Sequence, residues 1–500
     1  MGRPVRVMLI TPPYHSGVVE SAGVWMPVAF VYIAGMVREH GHTVKIYDAM
    51  SYYHDYDRIE QEIRDFAPDV IGLTAITASS LACLRVCAIA KQVNPQIRTI
   101  MGNAHSTFLW REILTEHPEC DIVVRGEGEF TMAELADTLR DGGDIATILG
   151  LALRIDGQPW AAAKRALNAD LDSLPMAWDL IDWPIYTYRP RPGSRLAVVS
   201  SSRGCEEACS FCSQQLYWGR TWRGHSPKHF VDELQMLKER FGVSIVMLAD
   251  ETPTMDPDRW HALLDELIAR DLDMELLMET RVDHILRDEA QLHRYKQAGI
   301  SHIYVGVEAT DQVTLDVFTK NIGVEQSRQA IAAINRHGMV SETSFVLGMP
   351  DETPEHMAAT VELAKHYAPD LAFFLAITPW PYAQLYPKLK DHLVGLDFSH
   401  YNLVEPVLKP DAMTLEEVQK GLNQAAHHFY ADKLRHLHEL PVEKRSFLVK
   451  VMKILSNHSY LADHMQGIHA EMPAHVQQAM AVIEADIEAE DEAKRVASHK

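Results

Sequence analysis

The sequence predicts an α/β protein, beginning with a doubly wound parallel sheet, and three observations carry that prediction. Short apolar runs alternate with helical patterns from residue 1 to about 145, the signature of strands joined by crossover helices. The alternation resumes from about 195 to 390. Between the two, Arg203-Gly-Cys-Glu-Glu-Ala-Cys-Ser-Phe-Cys212 places three of the six cysteines within eight residues, spaced C-x3-C-x2-C, just after the β-rich run that starts at Leu196.

In the first unit, 1–145, strands are expected at Val5 to Ile10, Thr43 to Tyr47, Val70 to Thr74, Arg98 to Gly102 and Ile122 to Arg125. A parallel sheet of this kind binds ligands at the carboxyl ends of its strands. The segments there are Thr11-Pro-Pro-Tyr-His-Ser16-Gly, Thr74-Ala-Ile-Thr-Ala-Ser-Ser, Gly102-Asn-Ala-His105-Ser-Thr-Phe and Arg125-Gly126-Glu127-Gly-Glu. Small and hydroxyl residues let backbone approach a large flat ligand and supply donors. Helix capping is the plainer reading of the Ser and Thr clusters, and loop hydrogen bonding that of His15 and His105. Residues 146–194 mix a hairpin near Leu151–Trp160 with Pro and Trp and no sustained period, as a connector would. The region 396–500 is helical: Thr414-Leu-Glu-Glu opens as a capping box, and Ile483 to Lys500 is a charged helix with little apolar face. His427, His428, His436 and His438 have no metal-ligand spacing and are taken as surface or packing histidines.

Composition narrows the function. Lys and Arg number 47 against 69 Asp and Glu, a formal charge of −22, which argues against a nucleic-acid partner because such binding depends on phosphate neutralisation. No apolar stretch approaches the ~20 residues needed to span a bilayer, and no signal peptide precedes Val5, so a cytoplasmic protein is expected. The three clustered cysteines lack the fourth Cys or His that a structural zinc site needs. A cubane iron–sulfur cluster held by three thiolates would instead keep one iron open. Cys83, Cys87 and Cys120 fall at helix-interior or irregular positions and are expected to bind no cluster.

The C-x3-C-x2-C motif, with aromatic Phe211 before the last cysteine, resembles that of the radical S-adenosylmethionine (SAM) enzymes. The resemblance implies a 4Fe–4S cluster on Cys205, Cys209 and Cys212. It also implies SAM chelated by the open iron and cleaved to a 5′-deoxyadenosyl radical, and a partial (β/α)6 barrel over 195–395. SAM contacts are then expected just after the barrel strands: Asp250 and Glu251 for the amino group, Arg281 for the carboxylate, Glu308 for the ribose, and Gly348 beside the adenine. Helix caps and surface ion pairs remain the alternative for each.

The loops of the first unit resemble those of the cobalamin-binding domain in one radical SAM subclass, with Asn103 where that pattern has its second Gly. Cobalamin contacts are implied at Thr11, Ser16, Thr74, Gly102, His105, Gly126 and Glu127. The D-x-H-x-x-G motif is missing, so no protein histidine is expected on cobalt. Further stretches, among them Cys212-Ser-Gln-Gln-Leu-Tyr-Trp, Leu248-Ala-Asp-Glu-Thr-Pro-Thr and Ile377-Thr-Pro-Trp-Pro, resemble the anaerobic magnesium-protoporphyrin IX monomethyl ester cyclases of bacteriochlorophyll synthesis. That resemblance implies a tetrapyrrole substrate, a reducing donor such as flavodoxin or ferredoxin, and a cavity lined by Trp25, Tyr217, Trp218, Trp380 and Tyr382. A cobalamin-dependent radical SAM methyltransferase is the alternative, and a non-catalytic cobalamin carrier or sensor a third reading that leaves the cysteine motif unexplained.

Overall fold

The computed structural model describes residues 2–14, 22–395 and 397–458, together with 481 and 485. His15, Ser16 and nearly all of the charged C-terminal segment lie outside the described residues.

Seven strands form the first sheet: β1 (Arg6–Thr11), β2 (Thr43–Asp48), β3 (Val70–Thr74), β4 (Arg98–Gly102), β5 (Ile122–Val124), β6 (Leu151–Ile155) and β7 (Gln158–Ala161). Their order is β2-β1-β3-β4-β5-β6-β7. The first five are parallel; β6 and β7 add antiparallel at the edge. The hairpin expected within the connector therefore extends the first sheet. It does so because Leu151 and Ala152 are fully buried against the sheet's two faces while β7 is left half exposed, a suitable edge. Chain order reverses between β1 and β3, the switch point where such sheets open a ligand crevice.

After β8 (Leu196–Val199), a two-stranded antiparallel ribbon, β9 (Ser202–Gly204) with β10 (Trp222–Gly224), brackets the cysteine loop. The second sheet continues through β11 (Ile245–Leu248), β12 (Glu275–Arg281), β13 (Ile300–Gly306), β14 (Val340–Leu347) and β15 (Leu371–Ala376). It is wholly parallel, in the order β15-β14-β13-β12-β11-β8. No pairing joins β8 to β15 among the described residues, so the six strands make an open barrel. The helix Val442–His458 fills the bottom of the opening: Phe447, Leu448 and Val451 pack with Leu196, Ile245, Leu277 and Leu371.

The two sheets are welded by the connector. Trp178 and Trp183 pack into the barrel's outer core with Phe230 and Leu234 of the helix Pro227–Phe241, while Leu171 and Leu174 pack under the first sheet. Trp183 stacks on Phe241 at 5.0 Å. The helix Leu415–His436 begins with the reciprocal Thr414/Glu417 cap read from the sequence, and His427, His428, His436 and His438 are exposed.

Candidate active site

The cysteine loop leaves β9 through Gly204, where a φ of +100° and a carbonyl oxygen of Thr221 only 2.0 Å from where a Cβ would stand both exclude a side chain. None of the three cysteines is in a disulfide; Cys209 is buried, Cys205 and Cys212 partly exposed. The loop is pinned from below: Ser210 N donates to the Phe318 carbonyl at 2.8 Å, Ser210 Oγ to Val317 at 2.7 Å, and Gln215 Nε2 to the Cys209 carbonyl at 2.8 Å. Donors face the sulfurs: Thr252 Oγ1 lies 3.6 Å from Cys205 Sγ, and Gln214 N 3.4 Å from Cys212 Sγ. Burial pushes the Cys212 thiol up to about 12, so only a bound cation can hold it as thiolate near neutrality. Three free thiols on one short, pinned loop, with donors to sulfur, fit an iron–sulfur cluster. Cys83, Cys87 and Cys120 sit instead in the core of the first sheet.

Inside the barrel mouth the structure sorts the expected polar residues. Asp250 is fully buried, and its carboxylate accepts from Ser201 N at 2.7 Å, Ser201 Oγ at 2.6 Å and Ser202 Oγ at 2.5 Å. It fastens the β8–β9 turn, with both oxygens bonded to that turn, where the sequence expectation gives it to the SAM amino group. Glu251 turns the other way, accepting from Gly204 N at 2.9 Å and Trp218 Nε1 at 2.6 Å, directly behind the cysteine loop. Arg281 is buried; its Nε and Nη2 fork is taken by Asp283 at 2.9 and 3.1 Å, which leaves Nη1 towards Glu207 at 3.5 Å. Glu308 pairs with Lys320 Nζ at 2.8 Å and accepts from Ser344 Oγ at 3.3 Å. A Cβ on Gly306 would strike both Glu308 and Lys320, at 2.4 and 2.7 Å. Phe211 meets Phe318 edge-on, ring centres 5.0 Å apart, with Lys320 over its face. Gly348 donates its N–H to Glu352 at 2.9 Å, and a Cβ there would meet Val418 at 3.3 Å. Its missing side chain makes room for Val418 of the helix Leu415–His436.

One residue escaped the sequence reading. Glu279 lies two residues before Arg281 on β12, hence on the same inward face. Loss of solvation pushes its carboxyl up to about 8, with Glu251, Asp250 and Glu308 adding and Lys320 opposing. A carboxylate inside the apolar run Leu276-Leu-Met-Glu-Thr was the available signal. Because the folded state raises this pKa, it binds a proton that the unfolded chain releases; the stabilisation is complete below about pH 4 and is lost as pH rises through about 8. Glu279→Gln is expected to shrink the fall in melting temperature between pH 6 and pH 8.5. An unchanged fall would place the titration elsewhere.

Above the cysteine loop, a cavity of about 270 Å³ separates the carboxyl ends of β1, β3, β4 and β5 from the barrel. Thr74, Gly102, Asn103, Gly126 and Glu127 line one side, Arg203, Tyr217, Trp218 and Glu251 the other. Asn103 holds φ +77°, the left-handed region that Gly or Asn accepts, and donates Nδ2 to Thr74 Oγ1 at 2.9 Å. The segment Asn103–Phe108 is a short helix rather than the expected loop. Glu127 lines the cavity, but its carboxylate is spent on Arg203 Nη1 at 2.8 Å, Arg223 Nη1 at 3.1 Å and Asn168 N at 2.7 Å. Arg203 also pairs with Glu129 at 2.8 Å. Glu127 thus ties the first sheet to the β9–β10 ribbon, which adjacency in sequence could not reveal. Thr11 is not brought to the cavity either: its hydroxyl donates to Asp48, which also accepts from Tyr186 Oη. His105 is buried against Phe398, 5.2 Å between ring centres, outside the cavity wall, and burial lowers its pKa to about 4.

Of the aromatic residues, Tyr217 and Trp218 line the cavity, Tyr217 Oη donating to the Gly126 carbonyl at 2.7 Å. Tyr382 bonds Thr77 Oγ1 at 3.0 Å and stacks on Phe108 at 4.6 Å, and Trp380 packs with Tyr14, Phe398 and Tyr401, so the segment after β15 covers the first sheet's strand ends. Trp25 is partly buried, packed against the core beside Tyr188 and away from the cavity wall.

A doubly wound sheet facing an open barrel across three cluster-spaced cysteines defines a class: a radical SAM barrel carrying a B12-binding domain. Two family models match, "B12 binding domain" over residues 14–136 and "Radical SAM superfamily" over 199–364. The chain is 36% identical over 456 residues to the anaerobic magnesium-protoporphyrin IX monomethyl ester cyclase of Rubrivivax gelatinosus, covering 90% of this chain and 82% of that one. It is 33% identical over 430 residues to an uncharacterized methyltransferase of Pyrococcus horikoshii, covering 85% and 92%. Among solved structures, the radical SAM methyltransferase TsrM from Kitasatospora setae aligns with TM-score 0.65 at 17% identity over 84% of this chain and 82% of that one. The cobalamin-dependent radical SAM enzyme OxsB gives 0.67 at 14% identity over 100% and 82%. The chain belongs to the cobalamin-binding radical SAM enzymes, and its cofactors are a 4Fe–4S cluster, SAM and cobalamin.

Proposed function

We propose that this enzyme closes the fifth ring of magnesium-protoporphyrin IX monomethyl ester without O2. The observation that carries the reading is the 36% identity to the Rubrivivax gelatinosus cyclase, sustained over 90% of the chain through both the B12-binding and the barrel regions. The cluster and SAM supply, when bound, a 5′-deoxyadenosyl radical able to take hydrogen from the methyl-propionate side chain. Overall, one oxygen enters from water, a methylene becomes a ketone, a carbon–carbon bond closes onto the macrocycle, and six hydrogens leave, balanced by reductive cleavage of three SAM molecules, each of which would accept one hydrogen atom and one electron while three protons are released. The chain's own share is placement. Cys205, Cys209 and Cys212 would hold the cluster, with Glu251 bracing the strand that carries them. Arg281 Nη1, Glu308 and Ser344 would meet SAM, with Phe211 against Lys320 beneath. Thr74, Gly102, Asn103, Gly126 and Tyr217 would cradle cobalamin, and among the described residues no histidine lines that cavity. A cytoplasmic setting and a flavodoxin- or ferredoxin-type donor belong to the same proposal; no helix among the described residues is long and apolar enough to cross a membrane.

The test is turnover by anaerobic, cluster- and cobalamin-loaded enzyme in water enriched in heavy oxygen. Cyclisation expects a porphyrin product that has gained one labelled oxygen and lost four hydrogens. A second reading, methyl transfer, draws on the 33% identity to the Pyrococcus horikoshii methyltransferase. A product that instead gains CH2 from labelled SAM would replace the first reading with the second. Arg281→Ala, which removes one charge-assisted bond worth roughly 1.5–3 kcal/mol, is expected to weaken SAM binding about 10-fold or more. Unchanged affinity in a folded, cluster-loaded variant would return Arg281 to a purely structural role.

A further inference from the structure

Beneath the ribbon of β9 and β10, the seam holds a second group of polar side chains that the reaction above does not use. His225 directly follows β10, and its N–H donates to the Ser201 carbonyl at 2.9 Å. His229 lies in the first turn of the helix Pro227–Phe241, which Ser226 caps. Asp172 reaches them from the connector. One ligand atom from each of the three lies within 4.8 Å of the others.

The group is bonded only in part. His225 is 1% exposed; its Nδ1 meets Asp172 Oδ1 at 2.9 Å, but its buried Nε2 has no partner. The buried Nε2 of His229 is also bare, and the two rings stack 5.4 Å apart with planes 5° from parallel. One turn further along the helix, Glu233 accepts from Trp178 Nε1 at 3.0 Å through Oε1 while its buried Oε2 has no partner. Tyr32, stacked on His225 at 6.5 Å, keeps a bare buried hydroxyl. Each unmet buried polar atom costs about 1–3 kcal/mol, and the two bare imidazole nitrogens lie beside Asp172, where one bound cation would satisfy both.

We propose that Asp172, His225 and His229 form a binding site for a divalent transition-metal ion of the zinc class. Two imidazole nitrogens and a carboxylate are the donors such ions take, with the fourth position left to water. Bonds of about 2.0–2.2 Å set tetrahedral ligand atoms roughly 3.4 Å apart, so binding would draw the group in by about 1 Å and turn the half-buried His229 ring out of the stack, aiming its in-plane lone pair at the ion. The ion pins the connector to the barrel helix beside the ribbon that carries Arg203, a structural role separate from the cluster.

The site is tested on full-length enzyme already loaded with cluster and cobalamin, so that the cysteines are occupied. The enzyme is supplemented with Zn2+ and then desalted against a weak chelator. One zinc per chain is expected, with only nitrogen and oxygen neighbours in zinc-edge X-ray absorption and a raised melting temperature. His229→Ala, at the half-buried ligand, and His225→Gln should each weaken zinc retention about 10-fold or more with iron and corrinoid contents unchanged. Failure of the wild-type enzyme to keep zinc would overturn the site, leaving ordered water as the occupant. So would equal retention by both variants, or sulfur neighbours at about 2.3 Å. If either variant fails to fold, the wild-type absorption spectrum and melting shift decide alone.

Discussion

Arg203→Ala is expected to destabilise the protein by about 3–5 kcal/mol, the cost of removing the cation from a buried ion pair. Arg203 is the central residue of β9, in the ribbon that launches the cysteine loop, with one guanidinium nitrogen on Glu127 and another on Glu129, each at 2.8 Å, and its plane over Tyr32. Burial opposes the charge, yet Glu129 and Glu127 hold the guanidinium above its ordinary pKa. Without it, Glu129 loses its ion-pair partner and Glu127 keeps only Arg223 and Asn168, both inside a closed seam. Denaturant unfolding followed with cofactor content should show a lower midpoint and looser cobalamin retention. Glu127→Gln should cost less, because Arg203 keeps Glu129. Equal stability of wild type and Arg203→Ala would mean that the seam is held by packing alone.

Joint substitution of Cys205, Cys209 and Cys212 by alanine is expected to abolish cluster binding and, with it, all SAM cleavage. The three sit on one loop whose backbone is tied to residues 317–318 and 385, so the loop should persist while its ligands vanish. Iron would fall to background and 5′-deoxyadenosine would not form. The matching triple change at Cys83, Cys87 and Cys120, all fully buried in the first sheet's core, should lower stability but leave iron in place. Iron and SAM cleavage surviving in the first variant, or iron lost only in the second, would refute the assignment.

The sequence alone determined the two runs of parallel strands, the placement of the cysteine loop between them, and the radical SAM and cobalamin class. Those features are local: apolar period, small residues at strand ends, and ligand spacing within eight residues. What only the tertiary structure decided is which polar groups at the strand ends are free. Asp250 and Glu251 are neighbours, yet one carboxylate turns down to Ser201 and Ser202 and the other up to Gly204 and Trp218. Thr11 was equally well placed in sequence but is consumed by Asp48 on the adjacent strand, and Glu127 by arginines 76 and 96 residues away. A residue's type and its position after a strand follow from the chain. Whether its hydrogen-bonding capacity is already met depends on partners brought close by folding, since a buried charge must be satisfied by whatever packs against it.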